Sequence, residues 1–203
     1  MLASQLYATT DVLPVAGLDR LAEHLPNAWI EQALEATGTA SIRRRRLPAE
    51  QVVWLVIALA IYRRQSMPEV LATLDLALSA ASAQAVSKSA VTQARQRLGA
   101  KPLAQLFDQT ARAWCQQDAE YHAWQGLSLW AMDGTTFRTP DSTNNRAHFG
   151  AQAYASGKVA SYPQVRAVSI TAIPTHLVSD IAFGTYAQNE MLYAKTLVGR
   201  IAD

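Results

Sequence analysis

Cysteine is nearly absent from this chain, and its scarcity excludes two kinds of site. The single thiol, Cys115, cannot form an internal disulfide, and no second cysteine exists to share a zinc ion with it. The histidines are too scattered for ligand spacing, so a histidine metal cluster is not expected; they are His24, His122, His148 and His176. We therefore expect a reducing, cytoplasmic setting, with Cys115 as a small hydrophobic residue on a helix.

Long hydrophobic runs are also missing. The stretch VVWLVIALAIY, residues 52–62, is apolar all round but covers only about half of the roughly 20 residues that a membrane-spanning helix needs. It is predicted to be a buried central helix of a bundle. The first residues, MLASQLYATTDVLP, lack a charged segment followed by a long apolar one, so no signal peptide is predicted. No membrane partner is expected from either pattern.

The basic residues are concentrated in one part of the chain, although the net charge is only +2. Between residues 40 and 112 there are eleven basic residues and four acidic ones. A local excess of positive charge indicates a polyanionic partner better than total charge does. A solvated helical surface is the alternative interpretation of the same charges.

Helical periodicity dominates the first part of the chain. Helices are predicted over residues 17–24, 26–36, 52–62, 68–78, 90–98 and 102–116. Gly38 and Gly99 are suited to end two of these helices, and Ser87 or Ser89 to cap the start of helix 90–98. Pro48 suits the first position, and Glu50 the first turn, of the helix that contains residues 52–62.

Helix 90–98, with the polar connection before it and the helix before that, has the pattern of a helix-turn-helix. Glutamines and arginines near the start of its second helix suit base edges and phosphates. The predicted DNA contacts are Arg43, Arg44, Arg45, Arg46, Lys88, Gln93, Arg95 and Arg97. An ordinary surface helix of a bundle explains the same pattern, and the sequence leaves both interpretations open.

The periodicity changes from helical to alternating after Gly126. A strand is predicted over 127–133, with a second segment over 135–138, and its apolar run suggests two covered faces. A long loop over 139–161, a hairpin of strands 165–173 and 177–183, and a helix over 188–201 follow. Asp133 and Gly134 either present an acid at a functional site or form a simple turn.

Two blocks of this sequence resemble one family. The segment DGTTFRTPDSTNNRAHFG, followed by YPQVRAVSITAIPTHLVSDIAFG, resembles the start of the catalytic domain in DDE-type insertion-sequence transposases of the IS-four group. Upstream, SKSAVTQARQRLGAKPLAQLF resembles their helical N-terminal domain. The resemblance implies an α+β protein with an extension over 1–16 and an all-helical DNA-binding bundle over 17–125. Residues 126–203 would then be an incomplete RNase H-like α/β domain.

The resemblance also implies a chemistry and a partner. Asp133 would be the first acid of the catalytic triad and a ligand of Mg²⁺, and the partner would be double-stranded DNA of the element's terminal repeats. Two Mg²⁺ ions can activate the attacking oxygen and stabilise the leaving one, and such hard cations prefer carboxylates.

The triad is incomplete in this sequence. Four other acids follow Asp133 in the chain. Asp141 is explained as a turn residue, Asp180 as a hairpin residue and Glu190 as a residue at a helix start. Asp203 is the last residue and is not assigned the second catalytic role. The chain is therefore expected to be truncated before the second catalytic aspartate, and to be inactive alone.

Three other functions fit parts of the sequence. A haloacid-dehalogenase-type phosphatase also has an Asp-Gly-Thr motif after an apolar strand, but it needs a nucleophilic aspartate where this chain has Ala131. A non-catalytic DNA-binding regulator or inhibitor could bind the same DNA ends or join a homo- or hetero-oligomer with full-length transposase. A structural helical protein without a nucleic-acid role is the third, and salt-dependent DNA affinity separates it from the regulator.

Overall fold

The computed structural model describes residues 16–40, 47–78, 87–117, 123–154 and 157–200. These residues form eight helices and a three-stranded sheet, which confirms the α+β class. The chain divides into two compact units, Met1–Gln109 and Thr110–Asp203. The predicted domain boundary near residue 125 stays a prediction.

The described residues begin with six helices, and each lies within a few residues of its predicted position. They are α1 Ala16–His24, α2 Asn27–Ala36, α3 Ala49–Ile61, α4 Met67–Leu78, α5 Lys88–Leu98 and α6 Lys101–Gln116. Pro48 directly precedes the first turn of α3 and Glu50 lies within that turn, in agreement with the predicted start. Both residues favour a helix start, so the helix extends beyond the apolar run.

The core of the first unit is centred on α3. Val52, Val53 and Leu55 on this helix are each no more than 2% exposed. They belong to one hydrophobic cluster with Ile30 of α2 and Val91 of α5. Full burial of such a side chain stabilises the fold by about 1.5–3 kcal/mol. The prediction of a buried central helix is confirmed, and within the described residues no helix is long and apolar enough to cross a membrane.

The second unit contains an antiparallel sheet in the order β1-β2-β3. Its strands are β1 Trp130–Arg138, β2 Gln164–Ala172 and β3 Val178–Thr185. A short helix, α7 (Thr143–Phe149), separates β1 from β2 in the chain, and α8 (Glu190–Val198) follows β3. In the described residues β1 and β3 are therefore the outer strands.

The two faces of this sheet differ, because successive side chains of a strand point to opposite sides. On one face, called the helix face here, Val168 and Ile170 pack against Tyr193 and Leu197 of α8, and all four are buried. The other face carries Asp133 together with large exposed side chains such as Phe183, which is 64% exposed.

The expectation of two covered faces is wrong for β1. Seven of its nine residues are exposed and the other two are only partly buried. A short apolar run has the same appearance in a strand covered on one side, so periodicity alone could not separate the cases.

The segment predicted as a loop over 139–161 contains α7. The Ser142 hydroxyl accepts a hydrogen bond from the N–H of Asn145 at 3.2 Å and so caps this helix. Arg146 binds the Asp141 carboxylate with two N–H groups and donates to the carbonyl of Ser161 at 2.7 Å. The helix was missed because its sequence, TNNRAHF, combines weak helix formers with no apolar periodicity.

Candidate functional site

Asp133 lies in the middle of β1, where it is paired with Ser169 of β2. Gly134 continues the same ladder opposite Val168, so the interpretation of this dipeptide as a turn is wrong. The carboxylate is exposed, and its Oδ1 accepts the N–H of Gly134 at 2.9 Å. A strand thus holds the acid in place while its oxygens face solvent, as a metal ligand on a rigid element requires.

The described residues do not complete a metal centre around this carboxylate. Magnesium takes six oxygen ligands in near-octahedral geometry, often from one or two carboxylates together with waters and substrate phosphates. Across the described ranges, no three His, Cys, Asp or Glu side chains come together as a metal site would need. Asp133 therefore supplies one ligand group, which is not enough for a two-ion site.

Two of the other acids are used locally, as the sequence suggested. The Arg146 guanidinium hydrogen-bonds to Asp141 and holds the pKa of that carboxyl below its ordinary value. Asp180 accepts the N–H of Ile181 at 2.7 Å, and its other oxygen lies 3.5 Å from a guanidinium nitrogen of Arg200. Neither acid is part of a metal cluster.

Glu190 reaches β1, which the sequence did not predict. It lies in the first turn of α8, as expected, but its carboxylate also rests against Gly134 on the helix face. A Cβ at residue 134 would collide with this carboxylate and would lie only 2.7 Å from its Oε2. Glycine inside a strand often marks such a close approach, and that signal could have identified the contact.

The helix α5 presents its polar side chains away from the core. It buries one face at helical spacing through Val91, Ala94 and Leu98. The remaining positions except the half-buried Ala90 are exposed, and they include the predicted DNA contacts Lys88, Gln93, Arg95 and Arg97. Ser87 caps its start, since the hydroxyl accepts the N–H of Ala90 at 3.2 Å. The geometry brings these four side chains onto a single well-formed helix.

Other predicted contacts fall outside the described residues. These are Arg43, Arg44, Arg45 and Arg46, together with residues 79–86 of the predicted helix-turn-helix connection. The helix-turn-helix assignment therefore stays a prediction.

Two arginines on the helix face of the sheet were missed from the sequence. The guanidinium carbon of Arg138 lies 4.3 Å from the centroid of the Tyr162 ring. That of Arg166 lies 4.7 Å from the centroid of the Tyr186 ring. The two arginines are far apart in the chain, and only the register of β1 on β2 places them on the same face.

Comparison with known proteins shows similarity to transposases. Residues 15–108 match a family model described as the N-terminal region of the insertion element 4 transposase. The chain is 37% identical over 186 residues to InsG of Escherichia coli strain K12, a transposase for insertion sequence element IS4. It is 34% identical over 196 residues to InsZ of the same organism, which is provisionally named a transposase. The chain is thus similar to IS4-type transposases over both units.

The family model and the two relatives match different lengths of this chain. The family model spans most of the first unit and ends before β1. The two relatives align over 92% and 95% of this chain, which takes in both units. The chain spans 41% of the length of InsG and 63% of the length of InsZ. No solved structure matches it.

Proposed function

We propose that this chain acts in DNA transposition, with the first unit binding double-stranded DNA at the ends of an insertion sequence. The observation that carries the proposal is the similarity to IS4-family transposases over both units. The exposed polar side of α5 supports it, because arginine and glutamine side chains on one helix suit phosphates and base edges. In this proposal α4 and α5 form a helix-turn-helix that places α5 in the major groove.

The second unit is proposed to be the beginning of an RNase H-like catalytic domain. The order of three antiparallel strands followed by α8 supports this assignment. Asp133 is proposed as one oxygen ligand for Mg²⁺, since it is held on a strand and open to solvent. When bound, such ions would activate the attacking oxygen and stabilise the leaving oxygen of the phosphodiester. A complete transposase needs further acids at this point.

DNA binding by the 203-residue chain tests the proposal. Fluorescence anisotropy would compare a labelled duplex carrying the element's terminal repeat with a scrambled duplex across a salt series. We expect tighter binding to the repeat and an affinity that falls steeply with salt. Replacing Arg95 and Arg97 with alanine is expected to reduce the slope of log affinity against log salt by about 2.

A charge-matched control is available in the same unit. Arg20 and Arg63 are also exposed but lie outside α5, so the double change R20A/R63A removes the same charge elsewhere. It is expected to leave preference for the repeat unchanged. A wild-type chain without salt-dependent affinity for any duplex would contradict the proposed function and favour a structural helical protein.

A further inference from the structure

We propose that Arg138 and Arg166, with the tyrosines beneath them, form a second contact for the DNA phosphate backbone. This Arg–Tyr patch comprises Arg138, Tyr162, Arg166 and Tyr186. It lies in the second unit and is separate from the contacts predicted on α5. The inference rests on the proposed function, since it assumes that the chain binds DNA.

Strand register brings the two arginines together on the helix face. Arg138 lies opposite Gln164, and Arg166 lies opposite Thr136, so the arginines are diagonal neighbours on paired strands. Such neighbours are about 7–8 Å apart, within reach of each other's long side chains. Two arginines on such neighbouring positions can contact the same DNA strand.

Both guanidinium groups lack an acceptor in the protein. Within the described residues, no hydrogen bond or ion pair joins the side chain of Arg138 or Arg166 to another group. Arg146 and Arg200 of the same unit do contact carboxylates, whereas the two arginines of the patch do not. The Nε of Arg166 is also buried without a hydrogen-bond partner. The Oε1 of Gln164, two residues away on the same face, is buried without a partner as well. Because Nε is closed to solvent, the terminal N–H groups of Arg166 are the donors that an external acceptor can reach.

Stacking on tyrosine favours phosphate as the missing acceptor. A guanidinium lying over an aromatic ring keeps its N–H groups in the plane of the fork, where they can bind two oxygens at once. The group is always charged, so the attraction to phosphate does not depend on pH. Tyr162 and Tyr186 are each partly buried, which fixes the rings that support the two forks.

The negative charges near the Arg–Tyr patch do not neutralise its two arginines. Glu190 approaches the same face, but its carboxylate rests on Gly134 and forms no ion pair with either arginine among the described residues. The second unit contains seven basic and seven acidic residues, so its overall charge does not attract DNA. Any DNA contact in this unit must therefore come from a local concentration of positive charge.

The patch is also distant from the candidate metal ligand. Arg138 lies five residues beyond Asp133 on β1 and on the opposite face. At about 3.4 Å per residue, this corresponds to roughly 17 Å along the strand. Arg166 is nearer, because it lies opposite Thr136, three residues or roughly 10 Å along the sheet from Asp133. The patch would therefore hold DNA away from Asp133 and help to orient it.

Binding of duplex DNA by the full 203-residue chain provides the test. Anisotropy with a labelled terminal-repeat duplex between 50 and 200 mM salt would compare the wild type with R138A, R166K and R138A/R166A. We expect the double change to weaken binding by roughly tenfold or more and to lower the salt slope by about 2. The double change K158A/K195A is the control, since both lysines are exposed in the same unit. Its affinity should stay within about twofold of wild type, as expected for surface charges outside the contact.

Thermal unfolding of each variant separates binding from packing. If the arginines only cover the tyrosines, R138A/R166A lowers the melting temperature and leaves affinity and salt slope unchanged, which overturns the inference. R166K keeps the charge and most of the packing, so weaker binding by this folded variant supports a bidentate contact. A wild-type chain that fails to bind DNA would instead contradict the proposed function, and that result is visible before any variant is compared.

Discussion

The carboxylate of Glu190 occupies the space that a side chain of Gly134 would fill. The first turn of α8 therefore touches β1 one residue beyond Asp133. Because glycine has no side chain, the helix face has space at this position, and the carboxylate of Glu190 occupies it. This contact links the helix start to the strand that carries the candidate metal ligand.

Replacing Gly134 with alanine is expected to displace Glu190 at little cost in stability. The carboxylate is the far end of a flexible, exposed side chain and can swing away, so the loss should stay below about 1 kcal/mol. Denaturant unfolding would measure it, and hydrogen exchange would report looser amides at the start of α8. A double-mutant cycle with E190A provides the control. A loss of several kcal/mol that E190A does not relieve would contradict this explanation.

Alanine at Gly184 should be far more disruptive. A Cβ there would lie 2.6 Å from the hydroxyl oxygen of Tyr193, whose ring is buried at 6% exposure. That hydroxyl also donates to the Thr185 carbonyl at 3.2 Å, so the ring has no easy alternative position. We expect G184A to destabilise the second unit by about 1–3 kcal/mol.

Tyr193→Phe is the matched rescue for this change. It removes the colliding oxygen, and the next ring atom, Cζ, is 3.4 Å from the added Cβ, an ordinary contact distance. G184A/Y193F should therefore be more stable than G184A alone in the same denaturant titration. Equal stability of the two variants would show that the collision is not the cause.

Ser87→Ala should loosen the start of α5. The lost cap leaves the N–H of Ala90 without its side-chain acceptor, at an expected cost of about 1 kcal/mol. Thermal unfolding followed by circular dichroism would detect it. S87D keeps a capping oxygen and should retain most of the stability. If S87A and S87D are equally stable, the cap contributes nothing to the fold.

Asp141 should titrate below its ordinary value of 3.8, because the Arg146 guanidinium stabilises the ionised carboxylate. A lowered pKa in the folded state means that the pair stabilises the protein above the ordinary pKa. That contribution is lost as the pH falls through the folded-state pKa. The pair is exposed, so the effect on stability is small. Carboxyl NMR titration would show the midpoint rising in R146Q, and an unchanged midpoint would exclude the pair as its cause.

The helices were predictable because local signals agreed with one another. For α5, the apolar spacing, the Ser87 cap and the left-handed Gly99 at its end, with φ 67°, all mark the same boundaries. The location of Asp133 on a strand was also anticipated. The choice between strand and turn could not be made locally, because it depends on pairing with Ser169 of a distant strand.

Features that depend on register or on tertiary contacts were not predictable. The α7 segment folds against its own weak propensity because Arg146 binds the Asp141 carboxylate and donates to the carbonyl of Ser161. The Arg138 and Arg166 stacks exist only once β1 and β2 are aligned. Sequence periodicity reports which residues share a face of one element, and it does not report which elements meet.

The outer position of β1 has a practical consequence for work on Asp133. In the described residues this strand pairs with β2 on one side only, so its other edge offers free backbone groups to any extended chain. If two copies paired edge to edge in a register centred on Asp133, their carboxylates would lie near each other, and like charges oppose that approach. Neutral variants such as D133N should be checked by light scattering before any lost activity is attributed to chemistry.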